Sequence, residues 1–392
     1  MARSASGRKR RRRISFLDPL AGARARRPSP AAPRGFAFED RLTLPRSDQE
    51  WPDADLEELG RCPVCGVAER TLLFDRLRDL IFFVAPGEWT MWRCAGCESG
   101  YLDPRPTPSS IGRAYGRYYT HEEPWVPAPP ANRLQALRAA LANGYRNRRY
   151  GTRSEPSMPL GYALGRAVRK LAMPADITYR FLDRRPSDGP APKVLDVGCG
   201  GGAYLAAAAA AGWQASGIDF DPKAVEGARR RGIDASVGGL DSVADQADTY
   251  DAVTLSHVIE HLHDPAGSLA VIHEILKPGG RLYVETPNID SIGRSLYGRS
   301  WRGLEPPRHL VIFNRPGLQA LLERSGFEDV RLRRGPPALG GLGLLSARIA
   351  AGLDPNRPAP EVKGPGRLKR LRSALSRDHG EFMIFTARKP RR

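Results

Sequence analysis

Four of the five cysteines form two closely spaced pairs in the first quarter of the chain. Cys62 and Cys65 make one C-x-x-C motif, and Cys94 and Cys97 make a second after 28 intervening residues. Each motif places two thiolates on one turn, and two such turns close a tetrahedral Zn²⁺ site. Four thiolates leave no open coordination position, so we expect a structural Zn²⁺. Four reduced cysteines without a metal are the alternative.

A glycine-rich loop lies near the middle of the chain. Residues 194–197 form a short, mostly apolar run, and glycines follow at positions 198, 200, 201 and 202. Glycines permit positive φ angles, and the free amides of a following helix can bind an anionic group. Asp219 ends the next apolar run, where a carboxylate can accept hydrogen bonds from a ribose diol. The pattern predicts an adenosine-containing ligand, with turn capping as the alternative role for Asp196 and Asp219.

Three histidines are placed where they could contact a second substrate. His257 closely follows the apolar run 251–255, and His261 comes four residues later, so both can share one helix face. His309 lies in residues 301–313, a loop rich in proline and aromatic side chains. A neutral imidazole is a suitable general base near neutral pH. We predict that His257 and His309 line an acceptor site, with structural hydrogen bonding as the alternative for each.

Alternating strand and helix patterns position these residues. The strands are expected at residues 194–197, 215–218, 235–237, 251–255, 281–285, 330–332 and 382–386. The helices are expected at 203–211, 222–231, 266–276 and 316–325, with one more running through His261. Such alternation indicates a parallel sheet covered on both faces. Upstream, β-like runs occur at 71–74, 80–84 and 89–93, and the spacing of Leu134, Leu137, Leu141 and Tyr145 predicts a helix with one apolar stripe.

We predict four segments. They are a disordered basic tail at 1–47, a zinc ribbon at 48–120, a helical linker or cap at 121–190, and an α/β domain at 191–392 with an insertion at 337–379. Cys199, the fifth cysteine, is expected to be a small buried residue without a nucleophilic role. The cysteine pattern and the lack of a long apolar run favour a cytoplasmic location.

The excess positive charge of +18 belongs to the two ends of the chain. Residues 1–35 hold 11 Lys and Arg against one acid, and residues 363–392 hold ten against two. The region between them is balanced, which argues against nucleic-acid binding by the core. For the apolar residues 339–353 we favour a helical cap over the active site. Peripheral contact with an anionic membrane, through this stretch and the basic ends, is the alternative.

Residues 193–392 resemble class I S-adenosylmethionine-dependent methyltransferases. Four motifs carry the resemblance, in the family's order: 194–202, 217–219, 250–262 and 276–282. It implies an α/β fold with a Rossmann-like, doubly wound, seven-stranded sheet and an antiparallel last strand. The cofactor would be S-adenosyl-L-methionine, and the cofactor-binding residues implied are Asp196, Gly198, Gly200, Gly202, Asp219, Phe220, Leu240 and His257. Gly239 departs from the family, which often has an aspartate there to read the adenine, so this role would pass to the backbone or to Asp241.

The N-terminal part resembles the zinc ribbon that precedes the methyltransferase domain in a group of bacterial enzymes acting on sugars and natural products. The matching residues beyond the four cysteines are residues 101–106, Tyr115, Tyr118 and Tyr119. The resemblance implies that the ribbon helps to shape the acceptor site. For Glu260 and His261 we favour helix anchoring over the Mg²⁺ role known in some quinone-forming relatives.

The leading functional prediction is methyl transfer to an oxygen or carbon atom of a small or glycan-like acceptor. Contact of the chain with a membrane would suit a lipid-linked form of this acceptor. An RNA or protein methyltransferase is the second hypothesis, supported by the basic ends. A non-catalytic cofactor-binding scaffold is the third, supported by Gly239 alone.

Overall fold

The computed structural model describes residues 50–116, 130–183 and 189–391. The predicted basic tail and the Tyr118–Tyr119 pair lie outside these residues. Three sheets are formed by thirteen strands of the described chain. In chain order they are β1 (Leu56–Glu57), β2 (Arg70–Leu77), β3 (Trp89–Cys94), β4 (Gly100–Leu102), β5 (Arg105–Pro106), β6 (Lys193–Val197), β7 (Gln214–Asp219), β8 (Asp234–Val237), β9 (Tyr250–Ser256), β10 (Leu276–Pro287), β11 (Val311–Ile312), β12 (Glu328–Arg333) and β13 (Phe382–Arg388).

The largest sheet confirms the predicted fold class. Its seven strands lie in the order β12-β13-β10-β9-β6-β7-β8. The five strands from β10 to β8 are parallel to one another, and β13 is antiparallel to both β10 and β12. Side chains on both faces of the central strands are buried, as the continuous apolar runs predict for a sheet covered on both sides.

Helices cover this sheet and form a separate group before it. They are α1 (Arg133–Tyr150), α2 (Leu160–Ala167), α3 (Arg169–Thr178), α4 (Ala203–Ala210), α5 (Pro222–Arg230), α6 (Pro265–Ile275), α7 (Ile292–Tyr297), α8 (Arg315–Arg324), α9 (Leu339–Ala350) and α10 (Arg367–Leu375). Local sequence explains where several begin: the side chains of Asp221, Asp264 and Asn314 each accept a hydrogen bond from an amide of the first turn. No helix in the described ranges has the length and apolar character needed to cross a bilayer.

Two local predictions are wrong for an identifiable physical reason. Residues 80–84 are a loop, because the buried Asp79 carboxylate accepts four amide hydrogen bonds from residues 81–85 at 3.0–3.3 Å and bends the chain around itself. The helix expected through His261 is a single 3₁₀ turn, Ile259–His261. His257 precedes it with a φ of 57°, so His257 and His261 do not share a helix face.

The predicted apolar stripe of α1 is buried only at one end. Leu134 and Leu137 are exposed, whereas Tyr145 is buried. The packing of α1 on α2 instead uses glycine: a Cβ on Gly161 would lie 1.8 Å from the Leu141 carbonyl oxygen. The close approach of the two backbones explains why a residue without a side chain stands at this contact.

A second sheet joins the N-terminal strands to a loop from the other half of the chain. Its order is β11-β4-β3-β2, and β11 pairs antiparallel to β4 through Val311–Tyr101 and Ile312–Gly100. Residues from both parts share one apolar cluster, which includes Trp89, Met91 and Trp301. The loop between α7 and β11, which carries His309, is therefore held by the sheet whose strand β3 ends at Cys94.

Candidate functional site

The candidate residues meet at the carboxyl ends of the parallel strands. The chain passes from β6 to β7 and β8 on one side, then crosses to β9 and β10 on the other. In a sheet of this kind, ligands bind in the crevice where the strand order reverses. Asp196 lies near the end of β6, Asp219 ends β7, and His257 follows β9.

The glycine loop has the geometry of a backbone ligand cradle. Gly198, Gly200 and Gly202 have φ angles of 70°, 51° and 76°, a region that disfavours residues with a Cβ. A Cβ on Gly198 would lie 2.5 Å from Val258 Cγ2, whereas no atom lies within 4 Å of the Cβ position of Gly200. The loop is thus packed tightly at Gly198 and open at Gly200, where a ligand can lie against the backbone.

Asp219 is held in place by the same loop. Its Oδ2 accepts a hydrogen bond from the Gly200 amide at 2.8 Å, and its Oδ1 accepts one from the Asp221 amide at 2.9 Å. Burial raises the pKa of Asp219, and these amide hydrogen bonds oppose the rise. The exposed ring of Phe220 meets the edge of Tyr115 at 5.0 Å between centroids. The pair forms an aromatic wall next to the carboxylate.

Asp196 has a partner that the sequence reasoning missed. Its buried carboxylate is ion-paired with Arg180 and accepts a hydrogen bond from Thr254 Oγ1 at 2.7 Å. The Arg180 guanidinium lies 3.8 Å from the centroid of the Tyr204 ring, and Asp196 raises its pKa against the effect of burial. A fixed guanidinium beside the glycine loop can bind a carboxylate such as that of the cofactor's amino-acid end. The one feature of the sequence that points to Arg180 is its position as a cation within the apolar stretch that follows α3.

His257 is oriented from two sides. Its amide donates to the Glu285 carbonyl at 2.8 Å, and its Nδ1 lies 3.3 Å from Glu260 Oε1. Burial lowers the pKa of His257, but the hydrogen bond and charge of Glu260 outweigh it and hold the pKa above its ordinary value. Glu260 is fully buried, accepts from Thr286 Oγ1 at 2.9 Å, and has a pKa of about 2 because its histidine neighbours outweigh burial.

His309 is a buried, neutral imidazole. Its Nδ1 lies 2.8 Å from the Gly303 carbonyl oxygen, which can accept only if Nδ1 carries the proton. Burial lowers the pKa of His309 to about 4, despite the opposing charge of Glu305. Nε2 is therefore left with a lone pair at neutral pH. His309 thus has the protonation state that a general base requires.

His261 links His309 to the aromatic wall. The rings of His261 and His309 are 4.8 Å apart between centroids. His261 Nδ1 lies 2.9 Å from the Arg308 carbonyl oxygen and 3.0 Å from the Tyr115 hydroxyl. Tyr115, which comes from the N-terminal part of the chain, consequently contacts both Phe220 and the histidine cluster. Glu260, His261 and His309 each offer one ligand atom, all within 4.8 Å, so this cluster could also hold a divalent cation.

Arg308 is a further residue that sequence reasoning missed. Its side chain is completely buried and donates to both carboxylate oxygens of Asp79, at 2.6 and 3.1 Å. It also donates to Glu305 Oε1 at 3.2 Å and to the Ala114 carbonyl at 2.9 Å. Arg308 thereby ties the Asp79 loop and Ala114 to the loop of His309. The residue is adjacent to His309 in the sequence, but its partner is 229 positions away.

The four paired cysteines come together as predicted. The Sγ atoms of Cys62 and Cys97 are 3.6 Å apart, and those of Cys65 and Cys94 are 3.4 Å apart. These separations approach the ~3.8 Å edge of a tetrahedron with Zn–S bonds of about 2.3 Å. The amides of Val64 and Gly96 point at two of the sulfur atoms, at 3.4 and 3.3 Å. The sulfur geometry and the amide donors fit a thiolate-bound metal. Cys199 is buried beside the glycine loop, and burial raises its pKa to about 12, consistent with a non-nucleophilic thiol.

Comparison with known proteins identifies a domain in this chain. Residues 166–332 match the model of a family described as a methyltransferase domain. A ubiquinone biosynthesis O-methyltransferase of Xanthomonas oryzae pv. oryzae (strain PXO99A) is 39% identical over 103 residues, which are 24% of this chain and 43% of the relative. One with the same name from Xylella fastidiosa (strain 9a5c) is 37% identical over 103 residues, 24% of this chain and 42% of the relative. The chain spans less than half the length of these curated relatives.

Two solved structures resemble the fold at low identity. A SAM-dependent methyltransferase from Archaeoglobus fulgidus has a TM-score of 0.39 and 18% identity, over 57% of this chain and 94% of that chain. The 1,6-didemethyltoxoflavin-N1-methyltransferase of Burkholderia thailandensis has a TM-score of 0.35 and 19% identity, over 68% of this chain and 93% of that chain. Residues 166–332 thus match a methyltransferase-domain family, and they contain five of the seven strands of the sheet with the antiparallel end and all but the last residue of a sixth.

Proposed function

We propose that this chain transfers the methyl group of S-adenosylmethionine to an oxygen atom of a small-molecule acceptor. The observation that carries the proposal is the position of the His309 imidazole, whose Nδ1 is held by the Gly303 carbonyl and whose ring packs against His261 near the aromatic wall. The name of the 39% identical relatives supports oxygen over carbon as the accepting atom. A glycan-like or lipid-linked acceptor is the narrower form of the same proposal.

The chain's own residues would act by binding, positioning and proton transfer. S-adenosylmethionine supplies an activated methyl group for in-line displacement, so the protein has to align the acceptor oxygen about 3–3.5 Å from it. The glycine loop, Asp219 and Arg180 would hold the cofactor. His309 Nε2 would take the proton of the acceptor hydroxyl, and Glu305, 3.8 Å from Nε2, would stabilise the imidazolium formed. His257, held 3.3 Å from Glu260 Oε1, would orient the acceptor.

Loss of the His309 imidazole should slow methyl transfer without weakening cofactor binding. We expect His309→Gln to lower kcat by about 10²–10⁴-fold, the usual contribution of a positioned general base. The measurement is transfer of labelled methyl from S-adenosylmethionine to a fractionated extract of the source cells, with S-adenosylhomocysteine affinity determined in parallel. His257→Gln should raise KM more than it lowers kcat, because His257 is assigned to acceptor binding.

A histidine far from the crevice provides the matched control. His273 on α6 packs edge-on against Phe327, and His273→Gln should leave kcat unchanged. The proposal fails if His309→Gln and His257→Gln both retain wild-type kcat/KM with the labelled acceptor. Label in the small-molecule or lipid fraction supports the proposal. Label in RNA or protein would instead support the second hypothesis. No label from a chain that still binds S-adenosylhomocysteine would support the non-catalytic cofactor-binding scaffold.

We also infer that Cys62, Cys65, Cys94 and Cys97 hold a structural Zn²⁺. The sulfur separations, the amide hydrogen bonds to sulfur and the absence of a fifth ligand position in a four-thiolate set support this inference. The metal would stabilise the hairpin of β2 and β3. Since β4 and β11 extend the same sheet, the metal would also support the loop of His309.

Removal of this metal should separate methyl transfer from cofactor binding. We expect Cys97→Ser to lose most of its zinc and to transfer methyl groups at least ~10-fold more slowly, while its S-adenosylhomocysteine affinity changes little. Atomic emission measures the zinc content, and a binding isotherm measures the S-adenosylhomocysteine affinity. Cys199→Ala is the control for zinc content, because Cys199 lies outside the cluster and should keep one zinc per chain. Full zinc content in Cys97→Ser would contradict the assignment.

The location of the chain is a proposal as well. We propose a cytoplasmic protein with peripheral membrane contact through its basic ends, which would suit a lipid-linked acceptor. The balanced charge of residues 36–362 supports a core that does not itself bind nucleic acid.

A further inference from the structure

Helix α10 carries an unusual row of exposed leucines. Leu368, Leu371 and Leu375 are 80%, 55% and 60% exposed. Their spacing of three and four residues places them within about 60° of the helix circumference. An amphipathic helix of a soluble protein ordinarily turns such a stripe toward its core.

The orientation of α10 shows that its leucines point away from the protein. Ser373 is the buried residue of this helix, at 4% exposure. On a helical wheel it lies about 180° from the middle of the leucine stripe. The protein therefore holds α10 by its small polar side and presents the leucine stripe outward.

The neighbouring helix α9, unlike α10, buries apolar side chains against the rest of the protein. Leu339 and Ile349 of α9 are buried, and α9 contacts both α7 and α10. The apolar residues 339–353, which the sequence associates with a membrane surface, thus include side chains already packed against protein. The most exposed large apolar side chains of this insertion are the three leucines of α10, and Leu353, at 39% exposure, is the next.

Positive charge surrounds the stripe. Residues 363–377 contain six Lys and Arg and no acidic residue. Arg367 and Arg372 lie on either side of the leucines, and all six cations are exposed. Leucines bordered by cations on one helix match an interface with both anionic headgroups and acyl chains. A nucleic acid would use the cations but leave the leucines in water, so charge and apolarity together favour a bilayer.

We propose that α10 docks on an anionic phospholipid bilayer, with Leu368, Leu371 and Leu375 inserted at the headgroup–acyl boundary and the flanking cations on lipid phosphates. The inference goes beyond methyl transfer and does not depend on it. It assigns the membrane contact to α10, which lies in the insertion before β13 and within the basic residues 363–392.

Vesicle flotation of the full chain tests this docking. The probes are phosphatidylcholine vesicles with and without phosphatidylglycerol, at low and at physiological salt. We expect binding to the anionic vesicles alone, and at least ~10-fold weaker binding when all three leucines become serine. That variant keeps every cation, so binding driven by charge alone, including charge in residues 1–35, would survive it. Its Tm should match wild type, because the three leucines are exposed.

The control variant changes exposed leucines elsewhere. Leu134→Ser with Leu137→Ser on α1 should bind anionic vesicles as wild type does. Wild-type binding by the triple-serine variant would overturn the proposal, as would absence of wild-type flotation with anionic vesicles at low salt. Flotation that RNA abolishes equally in wild type and the triple-serine variant would overturn it too, since it would show that the cations bind any polyanion.

Discussion

Arg308→Met is expected to lower the free energy of unfolding by about 3–5 kcal/mol, the usual effect of breaking a buried ion pair. The side chains of Arg308 and Asp79 are completely buried, and Glu305 is nearly so. Methionine fills similar volume but leaves two carboxylates without their shared cation. Burial raises the pKa of Asp79, and Arg308 outweighs it. The pKa of Glu305 is held down against the same effect by Arg302 and His309 as well as by Arg308. The charged form of Asp79 therefore loses the most stabilisation. Chemical denaturation monitored by tryptophan fluorescence measures the change.

An exposed ion pair gives the matched comparison. Arg315 and Asp378 are paired but 44% and 51% exposed, so Arg315→Met should cost less than about 1 kcal/mol. Arg308→Lys should fall between the two, because it keeps the charge and loses the two-point geometry to Asp79. Equal stability of Arg308→Met and Arg315→Met would show that the buried pair does not join the Asp79 loop to the His309 loop.

Asp219→Ala should weaken S-adenosylhomocysteine binding by about 100-fold or more. A buried carboxylate that accepts two ribose hydroxyls loses two charge-assisted hydrogen bonds on truncation, each worth about 1.5–3 kcal/mol. The amides of Gly200 and Asp221 now orient Asp219 and would lose their acceptor as well. Isothermal titration calorimetry gives the affinity, and the ligand-induced shift in Tm gives an independent check.

A second aspartate separates this effect from a general change of charge. Asp234 is exposed and begins β8, at the opposite end of the strand that neighbours β7. Asp234→Asn should bind S-adenosylhomocysteine as wild type does. Unchanged affinity in Asp219→Ala would remove Asp219 from the cofactor site and, with it, the placement of the ribose.

The parts of the site that local sequence determines were predictable. The seven-stranded sheet follows from alternating strand and helix patterns, and Asp196 and Asp219 are near strand ends because apolar runs end there. The glycine loop is equally local, since positive φ at three positions requires residues without a Cβ. The two cysteine motifs also predict that their four thiolates come together in one site, because each motif is a turn with a fixed geometry.

The parts that depend on distant contacts were not predictable. Residues 80–84 are β-like in composition, but the Asp79 carboxylate folds them into a loop, and that carboxylate is buried only because Arg308 reaches it. Arg180 follows a helix with no motif around it, yet it pairs with Asp196. The proposed acceptor side of the crevice is assembled from Tyr115, His261 and His309, which belong to three separate segments. No periodicity or spacing connects such residues before the chain is folded.

The pairing of β4 with β11 has a consequence for how this protein is made. Residues 103–310, which number 208, lie between those strands, so the last strand of the ribbon sheet leaves the ribosome only after most of the methyltransferase domain has been synthesised. Contacts this far apart in sequence form late in folding. A nascent or truncated ribbon consequently exposes the edge of β4 and lacks Arg308 for Asp79. The ribbon of this chain is therefore not a transferable module, and it would have to be inherited together with the loop that completes it.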